Sequence, residues 1–300
     1  MTIPQKITEN VTILGTYEFN QYLIKGDDGY IIIEGGISAQ TEKLKDQIKN
    51  LGVNFHDIHT LVVLHAHFDH IMTFPYIMHE FPWIKLAIPK KAENILKNPR
   101  IISKILISDK KVSFNAKEKG LIKDLPQYFD FKDLPFDILL TENDTLFLDE
   151  KERIRFLDVP GHSPDGMAAF MENGKVLFVS DAAGVLFDNH PYKPNYFFNM
   201  GHYLNSLSKL KDLDAEFLCF GHNGFLKGKE RIRVFFDNAI LKTKEFSQVI
   251  LDELKAGRSE DEIASVLTKK FSVGFLKLFP MQDNLRLWKI MVQRSKEYSF

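Results

Sequence analysis

His65-Ala66-His67-Phe68-Asp69-His70 follows directly on the apolar run Leu61-Val62-Val63-Leu64, and no other stretch limits the fold so tightly. Histidine offers a neutral imidazole to a divalent cation and aspartate a hard oxygen. Ligand types packed this densely need a turn that folds them toward a common centre. A short, wholly apolar run is the pattern of a strand buried on both faces. The segment therefore reads as a metal-binding turn at the C-terminal end of a buried strand, with the first two histidines reaching one cation and Asp69 and His70 a neighbouring one.

The same arrangement recurs downstream. Asp158-Val159-Pro160-Gly161-His162-Ser163, Phe178-Val179-Ser180-Asp181 and Leu218-Cys219-Phe220-Gly221-His222 each place a ligand type after an apolar run. A carboxylate between two cations can bridge them and position a shared water of lowered pKa, and Asp181 suits that role. Ser163 lacks a nucleophile-elbow sequence and reads as a turn or supporting residue beside His162. His56, His59, His79, His190 and His202 fall outside the pattern and read as surface or loop histidines. Cys219, the single cysteine, sits in an apolar run without a charged neighbour to activate it, which predicts an inert core thiol.

Around these turns the chain alternates. Val11 to Leu14, Tyr22 to Ile24 and Tyr30 to Ile33 read as strands of a meander, residues 38 to 50 as a helix, and Arg153 to Val159, Met167 to Met171 and Lys175 to Val179 as a second strand series before a helix over Asn199 to Leu213. Two β-then-α halves predict an αβ/βα four-layer sandwich of the α/β (α+β) class. Residues 91–135 read as an amphipathic helical insertion between the halves. Beyond 228, apolar residues at helical spacing predict a helix over Lys229 to Lys255, Ser259 and Glu262 form a capping box for another, and Asp283 to Lys296 reads as a third. The predicted division is a core domain over 1–228 and a C-terminal helical cap over 229–300.

The formal charge of −1 arises from 39 basic and 40 acidic residues interspersed along the chain, so no broad basic face for nucleic acid is expected. No apolar stretch approaches the roughly 18 residues of a membrane span, and the opening residues lack a signal-peptide core, which predicts a cytoplasmic protein, monomeric or homodimeric. The 26 phenylalanines cluster near Phe131, Phe197-Phe198 and Phe235-Phe236. The candidate substrate-pocket residues are Phe68, Tyr196, Phe197, Phe198, Ser272 and Asn284.

These elements, in this order, resemble the metallo-β-lactamase superfamily over residues 11 to about 228. The resemblance implies that His65, His67 and His162 hold a first metal, Asp69, His70 and His222 a second, and Asp181 both. It also implies a supporting acid after the third strand, here Glu34 where aspartate is common. Ile71-Met72 stands where glyoxalase II and many lactonases carry a glycine pair. Glu34-Gly35-Gly36-Ile37-Ser38, Pro75-Tyr76 and Phe271-Ser272-Val273-Gly274-Phe275-Leu276 are further similar to the quinolone-signal-response branch, thioesterases of aminobenzoylacetyl-CoA with C-terminal helices over the site. Val185 replaces a glutamate carried there. The implied function is hydrolysis of a thioester or activated ester by a metal-bridging hydroxide, with Asp69 and Asp181 as catalytic groups and two divalent ions, zinc, iron or manganese, as cofactors. Hydrolysis of a homoserine-type lactone is the alternative on the same metals, and signalling through the C-terminal helices the non-enzymatic one. Phosphodiesterase action lacks its basic surface, and flavodiiron redox chemistry lacks a flavin domain.

Overall fold

The computed structural model describes residues 2–129, 134–150, 152–188 and 190–298. Strands β1 (Gln5–Lys6), β2 (Val11–Gly15), β3 (Asn20–Lys25), β4 (Tyr30–Ile33), β5 (Ile58–Val62), β6 (Lys85–Pro89) and β7 (Ile138–Leu140) form a seven-stranded sheet in chain order. The first four pair antiparallel and β4 to β7 pair parallel. Parallel neighbours need crossovers over a face, supplied here by α1 (Thr41–Asn50), α2 (Phe74–Glu80), α3 (Lys90–Leu96) and α4 (Pro99–Glu118). The predicted insertion thus lies inside the first half, as the β6-to-β7 crossover, and not between the halves. Its helical part ends at Glu118, where Gly120 follows in the left-handed region; Phe131 lies outside the described residues.

The second half runs β8 (Thr145–Phe147), β9 (Arg153–Asp158), β10 (Met167–Met171), β11 (Val176–Ser180), a separate hairpin of β12 (Val185–Phe187) and β13 (His190–Lys193), α5 (Met200–Lys211), β14 (Phe217–Phe220), β15 (Phe225–Lys227), α6 (Lys229–Lys255), α7 (Glu260–Phe271) and α8 (Met281–Glu297). Its six-stranded sheet has the order β15-β14-β11-β10-β9-β8. The sequence pattern does not resolve α2, β6 or the short strands, whose apolar runs are too brief to carry a period.

Alternation along the strands explains the layers. Val11, Ile13, Tyr22, Ile24, Val62 and Leu64 face Phe156, Ala169, Phe178 and Cys219 of the second sheet, while Leu14, Leu23, Ile32, Leu61 and Val63 face α1 to α4. Leu157, Phe170, Leu177, Leu218 and Phe220 pack outward against α5 and the C-terminal helices. Both faces of both sheets are buried, which gives the αβ/βα sandwich. Burying one such large side chain contributes roughly 1.5–3 kcal/mol. Cys219 lies wholly within the inter-sheet core, and burial pushes its thiol well up. α6 leaves Gly228 directly after β15 and shares the outer core through Ile232, Phe235 and Phe236, so no break in packing marks position 228. Ser259 and Glu262 form the expected capping box of α7. Among the described residues, no helix is long and apolar enough to cross a membrane.

The sheets are tied together at one end. Met167 N donates to Leu64 O at 2.8 Å, Asn20 N to Gly221 O at 2.8 Å, and Tyr22 Oη to Phe220 O. At this end β4, β5, β9, β11 and β14 release their following turns.

Candidate metal centre

Those turns bring the ligand-type side chains together. His65 Nε2 and His162 Nε2 each stand 3.0 Å from His67 Nδ1, close to the roughly 3.3 Å edge of a tetrahedron with metal–nitrogen bonds of about 2.0–2.1 Å. A second group comprises Asp69, His70 and His222, with His222 Nε2 3.5 Å and His70 Nε2 3.8 Å from Asp69 Oδ2. Asp181 lies between the groups: Oδ2 is 3.4 Å from His162 Nε2 and 3.8 Å from His70 Nε2, and Oδ1 is 3.3 Å from His222 Nε2.

The ring nitrogens of His65, His70, His162 and His222 that face away from the cluster are engaged, which leaves the inward nitrogen of each free to bind a cation. His162 Nδ1 donates to Asn195 O at 2.9 Å, His222 Nδ1 to Glu18 O at 2.6 Å, and His65 Nδ1 to Ser180 Oγ at 3.1 Å. His70 Nδ1 donates to the buried carboxylate of Glu34. Such outer partners orient a ligand and raise its basicity. Glu34 and Ser180 hold positive φ, 71° and 49°, a conformation costing non-glycine residues of order 1–3 kcal/mol. Strain therefore sits on two residues that orient the histidines. Gly221 is required by contact: a Cβ there would stand 2.6 Å from His70 Cε1.

The electrostatics suit a cation. Burial, reinforced by the rings of His70, His67 and His162, holds His65 well below its usual range, and burial sets His162 at about 3 against the pull of Asp181. Both nitrogens thus keep free lone pairs. Burial also disfavours charge on His70, but Glu34, Asp69 and Asp181 outweigh it and hold the group well above its usual value. Burial raises Asp181, and His222, His162 and His70 overcome it to hold the carboxyl well below the ordinary range. Carboxylates that draw a proton onto His70 would draw a metal ion in its place. Two buried atoms of the cluster, His70 Nε2 and Asp181 Oδ1, have no hydrogen-bond partner, a condition costing roughly 1–3 kcal/mol per group unless something else satisfies it. The donor set fits divalent cations.

A cavity of about 440 Å³ opens over the cluster. Its floor includes His67, Asp69, His162, Asp181 and His222, and its walls come from α4 (Ile105, Val112), the turn before α8 (Phe275, Leu276, Phe279) and α8 itself (Leu287, Ile290). Phe68, Phe197, Ser163 and Val185 line it; Ser163 Oγ is buried without a partner. The other pocket candidates lie elsewhere. Tyr196 points into the helical core and shares a hydrogen bond of 2.9 Å with Ser295 Oγ. Phe198 is exposed beside His202. Ser272 ends α7, and Asn284 turns inward to donate to Leu276 O at 3.0 Å. Neighbouring residues on a bend or helix point in different directions, and a run of aromatics does not reveal which faces inward. The five histidines outside the pattern are all exposed.

Sequence reasoning missed Ser180, Asn195, Lys193 and Asp165. Asp165 Oδ2 accepts from Ala66 N at 2.8 Å and fixes the first metal-type turn; Ser163-Pro164-Asp165-Gly166, a turn sequence directly after His162, was its signal. Lys193 donates to Asn195 Oδ1, and burial lowers its ammonium to about 8, against Asp181 and Asp69.

Comparison with known proteins gives a family model described as the metallo-beta-lactamase superfamily, matching residues 18–222. Among solved structures, a metallo-beta-lactamase family protein from Thermus thermophilus superposes with a TM-score of 0.68 at 17% identity, covering 97% of this chain and 94% of its own. A subclass B3 metallo-beta-lactamase of Bradyrhizobium japonicum gives 0.60 at 21%, over 86% and 97%. The inverting sec-alkylsulfatase of a Pseudomonas species gives 0.62 at 15%, over 95% of this chain and 49% of the enzyme.

Proposed function

This chain belongs to the metallo-beta-lactamase superfamily, and from that premise we propose that it hydrolyses a thioester or activated ester at a centre of two divalent metal ions. The observation that carries the reading is the all-histidine group His65, His67 and His162 beside the group Asp69, His70 and His222, with Asp181 between them and buried atoms of the cluster unpartnered, beneath an apolar cavity. In this reading His65, His67 and His162 hold one ion, Asp69, His70 and His222 the other, and Asp181 both. When bound, the ions supply Lewis acidity and a water acidic enough to attack near neutral pH.

The remaining work falls to the chain. Glu34 keeps His70 Nε2 directed into the cluster by accepting from Nδ1. Asp69, on the cavity floor, accepts a hydrogen bond from the attacking water and orients it toward the substrate carbonyl. Phe68, Phe197 and Phe279 surround the acyl group and exclude bulk water, which strengthens every charge interaction beneath them. The water oxygen bonds to the carbonyl carbon, the carbon–sulfur or carbon–oxygen bond breaks, and the proton that the water gives up at Asp69 passes to the leaving sulfur or oxygen, so that an acid and a thiol or alcohol are released into the cavity.

The similarity to quinolone-signal-response thioesterases supports a bulky thioester, with Val185 marking a difference in the pocket wall. Zinc, iron and manganese all suit the donor set. Elemental analysis of protein prepared without added metal, then a panel of acyl-CoA thioesters and homoserine lactones, tests the reading. Thioester cleavage lost on chelation and in His67→Ala is expected. Faster cleavage of ring substrates would transfer the assignment to a lactonase, and full activity in His67→Ala or Asp69→Asn would remove the mechanism. A signalling role through α6 draws on its exposed Val234, Leu241 and Val249; substitution of these residues with no change in proteins captured from cell extract would count against it.

A further inference from the structure

Among the described residues, His222 is the one ligand-type histidine with a phenylalanine ring lying flat on it. Phe275, from the turn over Gly274–Leu278, is stacked on the imidazole with ring centroids 4.1 Å apart and planes 10° from parallel. Phe19 meets the same imidazole edge-on, at 5.5 Å and 71°, and meets Phe275 in the same way at 5.7 Å. By contrast, Phe197 is tilted 58° to His162 at 5.3 Å. The hydrogen bond from His222 Nδ1 to Glu18 O holds one corner of the imidazole and leaves the ring able to swing about that corner. An imidazole lone pair lies in the ring plane, so a swing turns Nε2 away from a cation and weakens the ligand. A ring packed flat on the imidazole blocks the swing, and an aromatic pair adds attraction beyond simple burial. Both rings are buried.

What holds Phe275 lies outside the cavity. Asn115 Nδ2 on α4 donates to Leu278 O at 2.8 Å, and Asn284 Nδ2 on α8 donates to Leu276 O at 3.0 Å. Neither asparagine lines the cavity. Phe187 of the β12–β13 hairpin runs nearly parallel to Phe275 at 6.3 Å. The turn is clamped between two helices, and Phe275 passes its position on to a floor residue. It is the exception to walls that only give the cavity its shape.

We propose that Phe275 is a positioning residue of the metal centre: it holds His222 in the orientation that completes the second group, so that a second cation and the docked Gly274–Leu278 turn stabilise each other. This rests on the two-metal reading above, and the coupling is reciprocal. Zinc binding to the whole protein is followed by competition with a chelating dye, which resolves the first ion from the second. Phe275→Leu keeps an apolar side chain and removes the ring; it is expected to weaken the second ion by about tenfold or more, the scale of a lost orienting partner, and to leave the first within about twofold. Phe275→Tyr keeps the stacked ring and is expected to recover most of the affinity. Asn115→Ala loosens the turn without touching the site; it is expected to weaken the second ion in the same direction, and it carries the test if Phe275→Leu does not fold. In hydrogen exchange, the second equivalent of zinc is expected to slow the amides of residues 274–278 in wild type and not in Phe275→Leu. A residue that only fills space would lower stability on replacement and leave the two affinities in their wild-type ratio. An unchanged second affinity in both Phe275→Leu and Asn115→Ala, or an equal loss at both ions, overturns the proposal and leaves the two-metal reading standing. A wild type that takes up no second ion removes both. Phe275-dependent binding of a second zinc in a protein that cleaves no ester keeps the proposal and removes the reaction.

Discussion

The floor and the roof of the cavity are built on opposite principles. The floor is a set of polar side chains on turns at the ends of buried strands, several of them oriented by a second group: His70 by Glu34, His162 by Asn195, His222 by Glu18. The roof is a set of apolar side chains on α4, α8 and the turn before α8, positioned by packing. A floor residue moved slightly loses its geometry, because coordination and proton transfer are directional. A roof residue replaced by another apolar one changes shape and little else. In the proposed function the chemistry is thus concentrated in the floor, and selection among substrates is distributed over the roof.

The strongest way to break this contrast is at Asp181, which faces both groups. Asp181→Ala is expected to lower kcat by about a thousandfold or more and to reduce metal content, read by steady-state kinetics and elemental analysis; activity within tenfold of wild type would show that the floor is not a unit. Next comes support without direct contact. Glu34→Gln and Gly221→Ala, the second through the 2.6 Å approach to His70, are each expected to weaken metal binding about 10–100-fold, measured by competition with a chelating dye. An unchanged affinity would mean that His70 needs no orienting.

Roof changes should be smaller and of another kind. Phe279→Ala and Leu287→Ala are expected to raise KM for a bulky thioester about 5–30-fold, the worth of roughly 1–2 kcal/mol of apolar contact, while metal content stays constant. A fall in metal content would show that the roof shapes the floor. Smallest is Ser259→Ala, which removes the α7 cap at 3.3 Å from Glu262 N and should cost about 1 kcal/mol of stability in a denaturant titration with kcat unaffected.

The same contrast explains what could be read from the chain. The floor was legible because its ligand types are chemically rare on apolar strand ends and because four of them lie close together, from His65 to His70. The sandwich was legible because buried strands declare themselves as apolar runs. The roof was not, since Phe197 and Tyr196 are equally aromatic and only the bend between them sends one to the cavity and the other to Ser295. Lys193 was invisible for a related reason: lysine in an ordinary sequence signifies surface, and only the fold reveals a buried one. The insertion was misplaced because helical spacing says nothing of which strands a helix connects.

Because α4 belongs to a crossover of the first sheet, the walls of the cavity come from distant parts of the chain, joined by Asn115 Nδ2 to Leu278 O at 2.8 Å and Lys111 to Asp283 at 3.2 Å. During synthesis His222, the last floor residue, emerges before residues 274–290, so a domain that folds as it leaves the ribosome assembles its floor first. In that order the basin stands open to the surrounding fluid until the final helix docks.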